Sequence, residues 1–342
     1  MNPENRNHQQ IALWLFFVCL MVFGMVIVGG VTRLTESGLS MVNWKPLSGI
    51  IPPLNEGEWA KEFAAYQQYP EYQKVNQGMN LSEFKSIFFW EYSHRLLGRL
   101  IGLVFFVPFA IFLLRGKVSN SLKPKLWIMF FLGGLQGGLG WWMVKSGLVD
   151  RPDVSHYRLT AHLGLAVVIY LYMFWVASGL VMIGSDKDHS IRTIPAGLLK
   201  ILIGLIFVQI LLGGLVAGLN AGMIYNTWPL MEEQIIPTGL YSMTPWYMNM
   251  FENIMTVQFN HRVLAYVIGL TGLYIWFQLG KNDHHTVRRA GHLMMSAILV
   301  QVVLGILTLI YVVPVPLAAA HQAGALITLS CALFALRRLQ MR

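Results

Sequence analysis

The chain has 342 residues, 55% of them hydrophobic and 12% charged, with a mean hydropathy of +0.54. A water-soluble protein of this size needs a polar surface that this composition does not supply, so the sequence is that of an integral membrane protein. The formal charge of +9 reads as Lys and Arg gathered in loops on one membrane face rather than as a nucleic-acid surface; the two cysteines, Cys19 and Cys331, lie inside apolar runs and have no metal-binding spacing.

About 20 apolar residues cross a bilayer as a helix. In chain order the sequence predicts eight spans, 11–31, 90–114, 125–145, 158–183, 196–219, 259–279, 289–313 and 316–336. The first follows ten polar residues; it is too long for a signal-peptide core and lacks a small-residue cleavage site, so it is expected to be retained. The loop at 32–89, rich in Tyr and Trp, is expected to cap one end of the helices. The last two spans are separated by a tight turn at Pro314 and Pro316. Basic residues fall in the loops at 115–125 (Arg115, Lys117, Lys123, Lys125), 184–195 (Lys187, Arg192) and 280–289 (Lys281, Arg288, Arg289) and in the tail (Arg337, Arg338, Arg342), whereas 220–258 has no Lys or Arg. Both termini are therefore expected in the cytoplasm.

The order of motifs repeats. Glu91-Tyr92-Ser93-His94-Arg95 returns as Gln258-Phe259-Asn260-His261-Arg262. Gly29-Gly30, Gly38 and Trp44 align without a gap to Gly213-Gly214, Gly222 and Trp228; Pro46-Leu47 echoes Pro229-Leu230; Gln136 with Gly140 echoes Gln301 with Gly305; His162 corresponds to His321. Four spans per repeat is an even number, so both halves share one orientation. The expected fold is all-α: eight transmembrane helices as two tandem four-helix bundles, residues 1–190 and 191–342, related by a pseudo-twofold axis along the membrane normal. Gly133, Gly134, Gly137, Gly138, Gly214 and Gly218 have small-xxx-small spacing, which reads as close helix packing.

Histidine in a membrane span is costly and usually functional, and imidazole is a standard axial ligand of haem iron. His94 with His162, and His261 with His321, start spans that run the same way, so each pair is expected to face its partner at one depth near the outer membrane face and to hold a haem. Interhelical hydrogen bonding is the plainer alternative, and zinc is disfavoured because neither pair has a third ligand. Arg95 and Arg262 are candidates to meet haem propionates, with Arg99 and Arg158 weaker ones; snorkelling to the interface is the alternative. Three residues before the ligand stands Glu91 in the first half and Gln258 in the second. The second half is expected to keep the same shape without the ionisable group, leaving proton-coupled chemistry to the first. A simple ion pair of Glu91 with Arg95 is the competing reading.

The stretches GGVTRLTESGLSMVNWKP, EYSHRLLGRLIG, QGGLGWWMV, LTAHLGLA, FNHRVLAY and AAAHQAG make nearly the whole chain resemble the haem A synthases. The resemblance implies an oxidoreductase that converts a methyl group of haem O to a formyl group, through hydroxylated intermediates and with oxygen from water. It implies haem O as substrate on His94 and His162, beside Arg95; haem b as cofactor on His261 and His321, beside Arg262; and Glu91 as the catalytic carboxylate. It also implies a haem O synthase as partner, an electron acceptor that the sequence does not identify, and a place in the bacterial inner membrane; a homo-oligomer stays open. Some family members carry a cysteine pair in an outer loop, which this sequence lacks, so thiol chemistry is not expected. Two other readings of the same histidines are a dihaem b-type electron carrier and a haem transporter or chaperone.

Overall fold

The computed structural model describes residues 3–43, 48–149, 152–181 and 196–340. Trp44, Pro46 and Leu47, the loop with Lys187 and Arg192, the boundary at 190–191 and Arg342 lie outside the described residues. The elements are helical: α1 (Pro3–Leu34), α2 (Glu56–Tyr66), α3 (Pro70–Lys74), α4 (Leu81–Leu114), α5 (Lys123–Gly147), α6 (His156–Val181), α7 (Ala196–Gly218), α8 (Ile254–Gly280), α9 (His285–Ile310) and α10 (Val315–Gln340), with short 3-10 turns between them. Among the described residues seven helices are long and apolar enough to cross a membrane, which makes this a multi-pass membrane protein. The expected third span coincides with α5, which is not among the seven; Lys123, Lys125, Gln136 and its glycines dilute its apolar content.

Local chemistry moves the helix ends from where hydropathy alone puts them. α4 starts at Leu81, about two and a half turns before residue 90. A capping box starts it: the Asn80 side chain accepts from Ser82 N and Glu83 N, and Glu83 takes the Asn80 N–H at 2.8 Å. Asn253 caps α8 by accepting from Thr256 N at 3.2 Å. The chain turns from α9 into α10 through Val312 and Val313, both at positive φ (58° and 56°), and Pro316 falls within the first turn of α10, where its missing N–H costs nothing.

In the first half, α1 packs on α4 and α6, and α5 on α6; in the second, α7 packs on α8 and α10, and α9 on α8 and α10. The halves interlock, because α1 also packs on α10 and α6 on α7. Leu326 of α10 accordingly belongs to the core built on Leu15, Phe109 and Met173, and Val167 of α6 to the core built on Leu202, Ile275 and Met294. Outward side chains such as Phe17, Phe131 and Leu270 are exposed and apolar, as lipid requires. At one end, α2 and α3 form a cap in which Tyr66 and Phe84 are fully buried. Arg33 joins the halves there, donating to Asn220 Oδ1 at 3.0 Å, and Tyr157 donates to Glu252 at 2.6 Å. At the far end Arg337 donates to Trp175 O at 3.0 Å and lies over that indole at 4.0 Å.

The two halves differ on one side. α8 and α9 pack along one another, whereas α4 and α5 touch at few positions. Aligning Gln136 with Gln301 sets Gly133, Gly134, Gly137 and Gly138 opposite Ile298, Leu299, Val302 and Val303. Ile298, Leu299 and Val302 line a groove of about 740 Å³ between α8 and α9 that holds none of the four paired histidines, and Ile298 seats on Gly272 so closely that a Cβ there would come within 2.6 Å of its Cδ1. A Cβ added at any of the four α5 glycines meets nothing within 4 Å. Their expected role in close packing is therefore overturned, since α4 does not close on α5. Gly214 and Gly218 do pack closely, against Thr160 and His156.

Candidate functional site

All four paired histidines stand on helices that leave the capped end. His162, His261 and His321 fall within the first two turns or so of α6, α8 and α10, and His94 falls in about the fourth turn of α4, which starts early. Each pair sits on diagonal members of its group, α4 with α6 and α8 with α10. His162 lies within electrostatic reach of His94, and His261 of His321. Among the described residues no group of three His, Cys, Asp or Glu is arranged to hold a metal; each pair brings two imidazoles together.

A glycine on a neighbouring helix lies beneath each ring. An added Cβ would stand 3.4 Å from His94 Nε2 at Gly29, 3.4 Å from His261 Cε1 at Gly213, 3.0 Å from His162 Cε1 at Gly140 and 2.8 Å from His321 Cε1 at Gly305. The glycines thus leave room that any side chain would fill. Glutamines hold the helices behind the rings: Gln136 donates to His162 O at 3.0 Å, Gln301 to His321 O at 2.9 Å and Gln209 to His261 O at 2.9 Å. The side-chain oxygens of all three are buried without partners, as is His261 Nδ1. Paired imidazoles, glycine floors and unmatched buried polar atoms fit a planar, metal-centred ligand in each half.

The residues flanking the first histidine of each pair do something composition does not announce. Glu91, 2% exposed, accepts from Arg95 at 2.5 Å, from Ser40 Oγ at 2.7 Å and from Met41 N at 2.6 Å. Arg95 donates to Met41 O at 2.7 Å. The pair therefore clasps the chain just after α1. In the second half Gln258 donates to Ala221 O at 2.8 Å and to Ile224 O at 2.5 Å, and accepts from Arg262 at 3.0 Å; Arg262 also donates to the Tyr225 and Thr227 carbonyls. The clasp recurs with its polarity reversed: Glu91 receives N–H and O–H groups from its loop, whereas Gln258 gives N–H groups to carbonyls. The expectation that Gln258 copies the shape of Glu91 without its charge needs that correction.

The competing reading, an ion pair of Glu91 with Arg95, is what the structure shows, and the pair also holds the loop. Arg262 Nε is buried with no partner. Arg99 lies one turn below Arg95, partly buried. Arg158 is turned to α5, donating to Trp142 O at 2.7 Å and lying over its ring at 4.3 Å. Sequence reasoning assigned no role to Gln136, Gln301 or the four floor glycines, although their recurrence in the repeat was a usable signal. It passed over Ser40 and Gln209, for which there was none, and His156, which is buried 3.6 Å from Glu252.

Residues 12–333 match the family model described as cytochrome oxidase assembly protein. The chain is 52% identical to a haem A synthase of Nitrosospira multiformis over 95% of this chain and 92% of the relative. It is 50% identical to haem A synthases of Nitrosomonas eutropha, over 98% of this chain and 95% of the relative, and of Parvibaculum lavamentivorans, over 99% and 97%.

Proposed function

The chain belongs to the haem A synthase family of cytochrome oxidase assembly proteins, and from that premise we propose how its two halves divide the work of haem A biosynthesis. The halves are two four-helix bundles, eight spans in all with α5 as the third, related by an axis along the membrane normal. Both termini face the cytoplasm and both sites lie toward the periplasm of the bacterial inner membrane. The first bundle takes haem O as substrate on His94 and His162. The second keeps haem b on His261 and His321, where the bound haem supplies reversible one-electron redox chemistry. The reaction is oxidation of a haem O methyl group to a formyl group through hydroxylated intermediates, with oxygen from water.

The observation that carries this division is the open side of the first bundle. A substrate must enter and leave, whereas a resident cofactor is better enclosed. The α4–α5 side with its bare glycines suits the first need, and α8 and α9, packed along one another beside a groove that reaches none of the paired histidines, suit the second.

The chain's own groups then act as follows. The floor glycines and the glutamines behind the rings hold the imidazoles in one orientation. Arg95 and Arg262 offer cationic partners for propionates at the capped end. Glu91 is held beside the first site by Arg95, Ser40 and Met41 and serves as proton acceptor when the methyl group is attacked. Haem O arrives from a haem O synthase, and electrons leave to a separate acceptor.

Pigment extraction from purified protein tests the reading. Haem b together with haem O, its hydroxylated form or haem A is the expected result. Haem b alone at both sites would turn the assignment into an electron carrier.

A further inference from the structure

Among the described residues two carboxylates are buried, Glu91 at 2% and Glu71 at 5% exposure, and both stand at the capped end of the first half. Glu91 is fully hydrogen-bonded. Glu71, on α3, is not: its Oε2 is buried with no partner. The rest of its setting is built. Asn76 donates to the Tyr66 hydroxyl at 2.8 Å, and that hydroxyl in turn hydrogen-bonds Glu71. The titratable groups facing Glu71 from the neighbouring segments are Tyr66 of α2, Glu91 of α4, Glu36 just after α1 and Asp153 just before α6. Glu36 is exposed, and the Asp153 side chain is 52% exposed. Glu71 thus stands in electrostatic reach of a carboxylate deep at the site and of two that meet water.

We infer that Glu71 is the proton-holding group through which protons accepted by Glu91 leave the first site for the aqueous phase above the cap. The inference rests on the reading of Glu91 as proton acceptor. In each transfer one O–H bond breaks and another forms: the proton passes from the Glu91 carboxyl over intervening water to the Glu71 carboxylate, then from Glu71 to water beside Glu36 and Asp153. No electron moves in either step. Burial first, and then the negative charges of Glu91, Glu36 and Asp153, lift the Glu71 carboxyl to about 8, against the opposing hydrogen bond of Tyr66. A carboxyl poised there holds a proton at neutral pH and still releases it to water, as a relay requires. Among the described residues the second half has no buried carboxylate, in keeping with a resident cofactor that gives up no protons to the cap.

The test uses membranes carrying the full chain, supplied with haem O, with haem A per bound haem followed across neutral and alkaline pH. Wild type should show a rate that rises through the alkaline range as Glu71 becomes free to accept. Glu71→Gln should bind both haems, form haem A roughly tenfold more slowly and lose that rise; Glu71→Asp should keep it. A protonated-carboxyl infrared band that titrates in the same range should be present in wild type and absent from Glu71→Gln. Its absence from wild type at neutral pH overturns the proposal even if the variant folds poorly. Equal rates and pH profiles in wild type and Glu71→Gln overturn the relay alone, whereas wild-type membranes that form no haem A overturn the synthase reading with it.

Discussion

Gly305 and His321 approach so closely that a Cβ on the glycine would lie 2.8 Å from the ring's Cε1, against 3.4 Å for the equivalent approach of Gly213 to His261. The two floors of the second site therefore differ in how much they tolerate. Gly305→Ala should tilt the His321 ring and weaken the low-spin haem b spectrum by at least severalfold, and Gly213→Ala should leave it near normal. Equal retention of haem b by the two purified variants would show that these glycines do not set the rings.

Ligation should be confined to each half. His321→Ala removes one of the two imidazoles from the second site while leaving His94, His162 and their floors untouched. The low-spin haem b signal should disappear and haem should still be taken up by the first site. Loss of all haem from the purified variant would mean that the sites fold as one unit.

The reversed clasp changes what can be learned from Glu91. Glu91→Gln turns an amide toward the Ser40 hydroxyl and the Met41 N–H, so a donor faces donors. The variant should lose haem A formation per bound haem by roughly 10²-fold, the scale of a lost general base, and should also free the segment around Ser40 and Met41 to protease. Ser40→Ala removes one donor and costs on the order of 1 kcal/mol; it should loosen the loop with little effect on rate. If Ser40→Ala slows haem A formation as much as Glu91→Gln, the carboxylate acts by holding the loop rather than by taking a proton.

Closing the open side of the first bundle should exclude substrate without touching the cofactor. Gly134→Leu with Gly137→Val copies Leu299 and Val302 onto α5, where an added Cβ meets nothing within 4 Å. The protein should fold and keep haem b, and its haem O and haem A content should fall severalfold. Unchanged extracted haems would place the substrate's route elsewhere.

Glu71 should also mark the pH dependence of stability. The folded protein holds a proton there up to about 8, whereas the unfolded chain releases it near 4.5. Stability tied to that proton is complete below about pH 4.5 and is lost as pH climbs through about 8. Glu71→Gln should therefore melt like wild type in acid and several degrees above it in alkali. Parallel melting curves across this range would contradict the burial of a proton-bearing group.

Much of this was legible in the chain. The apolar runs gave the long helices, and the repeat gave the histidine pairs and their likeness of position. α5 was read from length and pattern although its lysines and glycines keep it below the hydropathy of its neighbours. The capping box at Asn80 and Glu83 was written in the sequence, yet a reading anchored on hydropathy started α4 at 90. The polarity of the clasp was not legible, because it depends on whether a loop turns its N–H or its C=O groups toward residue 91 or 258. Nor was the open side. Glycine spacing says that helices can approach and is silent on whether a partner does.

The way α1 meets α10 while α7 meets α6 has an ancestral implication. Each half offers the same two surfaces and receives the same two, so their contact is self-complementary. A single four-helix unit bearing both surfaces would have paired with a copy of itself as a symmetric homodimer. Fusion of two such copies would then have freed each to change its clasp and its flank independently of the other.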